Sequence, residues 1–283
     1  MSEYANYPLV DEPVLLLVGH QLGDGPTSEG HIVETWSRRG CLIHLTKRTL
    51  VGDPEAPLQL YRGDATFLQH DAEECPWLEI VSFTPNDAVN VLDCLPDDLG
   101  DRHFGRRLRA LTDGIGHDAL WWALEHTFRI PEILYRYWDC PASLRHHHAY
   151  AGGLATHSLD MAKRVAATFN DKPYLKDLAV VVALLHDVGK IWSYNGEGLT
   201  REARYVGHEI LGFKRLDRVF DRIEEGWPKI AWQLRGLLWG GRWAKSIPEV
   251  EAVRRVIRSL DGFDASMALR CQHGSTQSES PRI

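Results

Sequence analysis

The segment AVVVALLHDVGK, residues 179–190, is a run of aliphatic side chains that ends on an adjacent histidine and aspartate. Leu178, Val181, Val182, Leu184 and Leu185 predict a helix that is apolar on nearly every side, so His186 and Asp187 fall at its buried end. An ionised carboxylate is costly to bury unless it is paired or bound to a metal. A capping aspartate would open a helix rather than close one. The pair therefore reads as a compact nitrogen-and-oxygen ligand set. Gly189 lets the chain turn closely behind it, and Lys190 offers a cation to a phosphate.

Two other helical segments carry a polar group on an apolar face. His157, in GGLATHSLDMAKRV, shares a helical stripe with Met161, Val165 and Phe169. Asp261, in VIRSLDGFDASM, follows Ile257 and Leu260 and interrupts their stripe, with Asp264 one turn on as an outer support. Taken singly, His157 reads as a core histidine with one hydrogen bond, and Asp261 as an exposed acid at the edge of a stripe. Taken together, three helices aim such groups inward, which points to one shared metal and to metal-dependent phosphate hydrolysis.

The chain has 283 residues, enough for about two domains at roughly 150 residues each. Its apolar fraction of 44% and charged fraction of 25% are those of an ordinary globular protein. No window approaches the roughly 18 consecutive apolar residues of a membrane helix, and no membrane partner is expected. The start, MSEYANYPLVDEP, lacks a basic stretch followed by an apolar one, so no secretory leader is expected. Cys41, Cys75, Cys94, Cys140 and Cys271 are scattered and form no C-x-x-C, which argues against a disulfide framework and a thiolate zinc site. A reducing cytoplasm is the expected compartment. The net charge of −7 is uneven. Asp71 to Asp101 holds nine acids and no Lys or Arg, whereas Arg201 to Arg258 holds thirteen basic residues against eight acids. The basic stretch overlaps the proposed site and suits a phosphate-bearing substrate, or else is a solvated helix surface.

Residues 1–88 read as β-rich and barrel-like. PVLLLVG, GHIVETW, CLIHLTK, ATFLQH and WLEIVSF are short runs of β-branched, aromatic and aliphatic residues, separated by GDGPTSEG, SRRG and GDPEAP. Residues 89–101, rich in acids and prolines, are expected to be a linker. Residues 102–270 are expected to be all helix. One predicted helix has apolar residues at 250, 253, 256, 257, 260 and 263, with Pro248 before its first turn. Residues 271–283 are polar and expected to be a disordered tail. The fold class is thus α+β, a small β-rich domain followed by a helical bundle.

The order His157, His186-Asp187, Asp261 resembles the H…HD…D pattern of the HD-domain phosphohydrolase superfamily. The surroundings CPASLRHHHAYAGGLATHSLDMA, ALLHDVGKI, GHEILG and LDGFDASM resemble a narrower group, over about residues 105 to 270. That group comprises the short bacterial 3′–5′ exoribonucleases with an N-terminal OB-like domain, and the HD domain of TraI-type, MobH-like conjugative relaxases. The resemblance implies that His157, His186, Asp187 and Asp261 hold a divalent metal. Manganese is the first candidate, with magnesium, iron or zinc as alternatives. It implies catalytic roles for Asp187, Lys190 and His208. It also implies that His208, with His147 or His148 of the run 146–148, faces a second metal or the substrate. Arg204 and Arg215 are added to the substrate side on charge and position alone. In one respect the chain departs from the pattern. Where the family often has a His-His pair, it reads LRGLLWGGRWAKS, with Trp239, Gly240 and Gly241 at those places. One metal then suffices, or His147 or His148 substitutes, or the domain binds without catalysing.

The function expected first is a metal-dependent phosphodiesterase or nuclease on single-stranded RNA or DNA, of 3′–5′ exonuclease type where that resemblance holds. An OB-like barrel would bind such a strand by stacking and charge, with Trp36 and Tyr61 as stacking candidates or else core aromatics. The alternatives are a relaxase-like DNA nicking protein, a small-nucleotide phosphohydrolase, and a catalytically degraded binding domain.

Overall fold

The computed structural model describes residues 14–18, 23–24, 31–37, 40–46, 59–68, 77–85, 90–100, 102–145, 148–196, 198–239 and 248–274. Two compact units emerge: Met1–Arg106 with Phe128–Pro131, and Arg107–Thr127 with Glu132–Ile283.

Among the described residues, the first unit holds six strands: β1 (Val14–Val18), β2 (Gly23–Asp24), β3 (His31–Ser37), β4 (Gly40–Thr46), β5 (Gln59–Leu68) and β6 (Trp77–Pro85). They pair in the order β1-β5-β6-β4-β3-β2. All pairs are antiparallel except β4 with β6, where Leu45 faces Glu79. β5 begins at Gln59 rather than at Ala65, where the sequence reading starts its strand. Gly63 and Asp64 look like a turn, but an irregularity in register between Asp64 and Ala65 absorbs them within the strand. The segment expected to be a linker contains a short helix, α1 (Val91–Cys94), capped by Asn90, whose side chain accepts from Leu92 N at 2.8 Å. Val91, Leu92, Cys94 and Leu95 are buried, so apolar residues anchor this segment despite its acids.

The second unit is mostly helical. α2 (Phe104–Thr112), α3 (Asp118–Phe128) and α4 (Pro131–Arg136) precede a long pair, α5 (Gly153–Thr168) and α6 (Pro173–Leu185). Every residue of α6 from Asp177 to Leu185 is buried, as its sequence predicts. Each fully buried Leu or Val side chain contributes about 1.5–3 kcal/mol, so α6 is the centre of the unit's core. Pro173 opens it, where a missing N–H costs nothing. A single turn, α7 (Lys190–Ser193), and a two-residue hairpin, β7 (Tyr194–Asn195) with β8 (Gly198–Leu199), follow. Then come α8 (Arg201–Gly226), α9 (Pro228–Leu238) and α10 (Pro248–Gly274).

α8 is broken at Gly207, where φ is 77° and ψ 166°. The helical pattern of the sequence is HEILGFKRLDRVFDRI, which starts at His208. The structure adds one more turn before the break, capped by Thr200. α10 carries on to Gly274, into the stretch expected as tail. Met267, Ala268 and Leu269 favour helix, and Gly274 is the first strong breaker after them. Among the described residues, no helix is long and apolar enough to cross a membrane.

Candidate metal centre

His157 lies one turn into α5 and is fully buried. The start of α5 is fixed by Gly153, where a Cβ would stand 2.0 Å from the carbonyl oxygen of His148. The residue must be glycine for the loop before α5 to pack so closely. That loop is tied down by hydrogen bonds from Ala142 N to His148 O at 3.1 Å and from Leu154 N to Cys140 O at 2.9 Å.

His186 caps the C-terminal end of α6, and Asp187 begins the turn into α7. His186 Nδ1 lies 2.9 Å from the Ala183 carbonyl oxygen, which can only accept. The proton therefore sits on Nδ1, and Nε2 faces the other groups of the cluster. His186 Nε2 is 3.3 Å from His157 Nε2 and 3.3 Å from Asp187 Oδ2. Asp261, from α10, places Oδ1 3.3 Å from His157 Nε2. One ligand atom each from His157, His186, Asp187 and Asp261 fall within 4.8 Å of one another. Around an ion with bonds of about 2.1 Å, neighbouring ligand atoms stand roughly 3 Å apart and opposite ones about 4.2 Å. The donor set and its spacing fit a divalent cation, with borderline nitrogen and hard oxygen ligands.

Lys190 and His208 converge on the same carboxylate. Lys190 Nζ is 2.5 Å from Asp187 Oδ2, and His208 Nε2 is 3.1 Å from Asp187 Oδ1. Gly189 makes the second contact possible, because a Cβ there would stand 1.8 Å from the His208 carbonyl oxygen. Burial pushes the Asp187 carboxyl up, but the charges of His186 and Lys190 and hydrogen bonds from His186 and His208 outweigh it and hold it well below the usual range. Burial would likewise depress His186 and Lys190, and the Asp187 carboxylate raises both instead. The hydrogen bond from His157 is the main reason the half-exposed Asp261 carboxyl is held low.

The other residues singled out from the sequence are placed as follows. His148 sets its ring 5.6 Å from that of His157, tilted by 50°, with a left-handed φ of 56°. Its Nδ1 is 2.8 Å from the Tyr150 hydroxyl. His147 lies outside the described residues, as do Gly240 and Gly241 and the side chains of Trp36, Tyr61 and Asp264. Arg204 lines a surface pocket. Arg215 lies over the Trp192 ring, its guanidinium carbon 5.7 Å from the ring centre. Trp239 packs against Phe213 and Phe220 edge to face.

Three tyrosines escaped the sequence reading. Tyr137, fully buried, donates its hydroxyl to the Leu184 carbonyl at 2.8 Å and braces the end of α6 beneath the His-Asp pair. Burial raises its pKa, so the hydroxyl keeps its proton. Tyr194 is raised by burial and lies within reach of the charges of Lys190 and Asp187. Tyr150 holds His148, and its position two residues after the triple histidine was the available signal. Cys140 is no nucleophile, since burial pushes its thiol up to about 12.

Residues 154–262 match the family model of the HD domain. This segment is an HD domain. The 3′-5′ exoribonuclease YhaM of Listeria welshimeri and that of Listeria monocytogenes are each 25% identical to it over 138 residues, 46% of this chain and 44% of theirs. The protein of the same name from a Geobacillus species is 26% identical over 139 residues, 47% of this chain and 43% of its own. The chain thus spans less than half the length of these relatives. No solved structure matches it.

Proposed function

We propose that the chain is a metal-dependent phosphodiesterase that shortens single-stranded nucleic acid, with RNA as substrate and cleavage from the 3′ end. The convergence of two imidazoles and two carboxylates within 4.8 Å carries this reading. His157, His186, Asp187 and Asp261 would hold a divalent ion, manganese first, which when bound supplies an acidified water and polarises a phosphoryl oxygen. Asp187 fixes His186, Lys190 and His208 around itself. Lys190, held by Asp187, presents its remaining N–H bonds to a phosphate oxygen. The His208 side chain is 29% exposed and contacts Asp187 through Nε2, so it can carry a proton between the site and solvent.

The choice of RNA and of 3′ polarity is supported by the names of the relatives, which are exoribonucleases. The domain division follows the sequence reading: a β-rich unit over residues 1–88, a joining segment, and the HD unit over 102–270. An OB-like barrel for the β-rich part is supported by its strand order, in which one parallel pair, β4 with β6, sits among antiparallel ones as in a Greek key. Barrels of this kind bind single strands by stacking and charge. A reducing cytoplasm suits Cys94 and Cys140, both buried.

The test is to purify the protein without chelators, measure bound metal by elemental analysis, and add Mn²⁺ with end-labelled single-stranded RNA and DNA. About one or two metal ions per chain and a ladder of RNA shortened from its 3′ end are expected. Asp187→Ala should lose both metal and cleavage while keeping its helical circular dichroism. A single discrete cut in DNA, or hydrolysis of mononucleotides alone, would replace this reading with a relaxase-like or a small-nucleotide one. No metal and no cleavage would leave a binding domain.

A further inference from the structure

The second unit carries a pocket that the chemistry above does not use. It is lined by Asn195, Leu199, Arg201, Arg204 and Tyr205, from the β7–β8 hairpin and the first turn of α8. Thr200 joins these walls to α7. Its backbone N–H donates to Ser193 O at 2.9 Å, and its hydroxyl donates to Trp192 O at 3.1 Å and accepts from Ala203 N at 3.2 Å. Along the chain, the lining residue Asn195 directly follows Tyr194, and Tyr205 stands three residues before His208, which touches Asp187 just past the break at Gly207.

The lining has a chemistry of its own. Tyr205 is 80% exposed, with its ring open to solvent. Arg201 and Arg204 are exposed, and among the described residues neither forms an ion pair. The neighbouring acid, Glu202, is taken up by Lys214 at 3.2 Å and does not cancel them. Two unpaired guanidinium forks match phosphate oxygens. A free aromatic face beside them matches a nucleobase, with stacking that tolerates any base. Asn195 adds an amide for a ribose hydroxyl or a base edge. A simple anion site would have no use for Tyr205, and an apolar docking face would not carry two unpaired arginines.

We propose that this pocket is a nucleotide subsite, in which Tyr205 stacks on the base and Arg201 and Arg204 hold the phosphate of the nucleotide next to the bond that is cut. The proposal rests on the phosphodiesterase reading and adds to it the part of the chain that grips the strand. It also accounts for the break in α8. A straight helix would carry Tyr205 and His208 in one fixed relation, whereas the turn at Gly207 lets the first turn face open solvent and His208 face Asp187.

The experiment measures binding with chelator present, so that it does not depend on cleavage. A fluorescein-labelled oligoadenylate and labelled AMP are titrated with the full chain by fluorescence anisotropy, and cleavage of the oligonucleotide is followed separately with Mn²⁺. Tyr205→Ala and the double variant Arg201→Ala/Arg204→Ala should each weaken oligonucleotide binding about tenfold. Tyr205→Phe should stay within about twofold, because it keeps the stacking face. The double variant should also flatten the slope of log affinity against log salt by about 1.4, as expected for two lost phosphate contacts to a single strand. Arg222→Ala, on the exposed far end of α8, should change neither quantity. All substituted side chains are exposed, so unchanged thermal midpoints are expected and serve as the folding check. Wild-type binding and cleavage with no loss in the Tyr205→Ala or double variant would overturn the subsite and leave the phosphodiesterase reading intact. An equal loss in Arg222→Ala would overturn it too, since only diffuse charge would then be at work. If the wild type binds neither probe and cuts nothing, the subsite falls together with that reading. Tighter binding of AMP than of the oligonucleotide, abolished by Tyr205→Ala, would retain the pocket but overturn its role in gripping a strand.

Discussion

One carboxylate holds most of the site together. Asp187 Oδ2 meets His186 at 3.3 Å, His157 at 3.8 Å and Lys190 at 2.5 Å, while Oδ1 meets His208 at 3.1 Å. His208 is the partially exposed member of this group, and its role separates from that of the metal ligands. His208→Gln keeps a side chain able to hydrogen-bond Asp187 but removes the proton that imidazole can exchange. It should lower kcat by about 10²-fold or more, leave metal content unchanged and move the thermal midpoint by about 2 °C at most. Single-turnover cleavage and elemental analysis on one preparation check this. A fall in metal content would make His208 a ligand instead. The four residues that the structure gathers into one cluster stood out in the sequence because each breaks an apolar periodicity, which is costly unless something compensates it. His208 was singled out only through resemblance, since it stands beside Glu209 just past the break in α8 and interrupts no apolar stripe. Arg204 and Arg215 were chosen on charge, and charge does not encode direction. Arg215 turns to the Trp192 ring, and Arg204 to the pocket. Tyr137 and Tyr194 were silent because an aromatic in an aromatic-rich stretch breaks no pattern.

At the scale of elements, the site depends on how closely α7 and α8 approach. Gly189 sits at that contact, where a Cβ would meet His208 O at 1.8 Å and Gly212 N at 2.8 Å. Both obstacles are backbone, so nothing flexible can give way. Gly189→Ala should force the two helices apart, destabilise the unit by about 2–4 kcal/mol and break the His208 contact with Asp187. Gly236, inside α9, has open space where a Cβ would go. Gly236→Ala should be neutral or stabilise by up to about 1 kcal/mol, as expected for glycine replaced in a helix. Chemical denaturation of both variants checks the pair. If Gly189→Ala were as mild as Gly236→Ala, the close approach would carry no energy. The sequence could announce that Gly189 turns the chain, but not that it faces the backbone of α8. The same limit explains the element ends that differ from expectation. The sequence patterns start at Ala65 and at His208, yet an irregular strand and a kinked helix run on through Gly63-Asp64 and Gly207. Local propensity reports the cost of such residues, and only the packing around them decides whether that cost is met.

At the scale of the whole molecule, the clustered His157, His186, Asp187 and Asp261 come from α5, from the end of α6 and the turn after it, and from α10, so an ion held there would clamp together elements far apart in the chain. Such an ion binds the folded chain and finds no assembled site in the unfolded one, so its binding energy adds to stability. At free metal about 100 times above the dissociation constant, the gain is about 2.7 kcal/mol. For a unit of this size that corresponds to a rise in thermal midpoint on the order of 5 to 10 °C between chelator and saturating Mn²⁺. Asp261 tests whether α10 belongs to the clamp. Its side chain is half exposed, so Asp261→Ala costs little packing and should leave the midpoint in chelator nearly unchanged. The same variant should lose most of the rise on adding Mn²⁺. Calorimetric scans of wild type and variant, each with chelator and with metal, give the comparison. A full rise in Asp261→Ala would mean that the ion is held without α10. No rise in the wild type would mean that the buried cluster of His157, His186 and Asp187 is held by its own hydrogen bonds and charges alone.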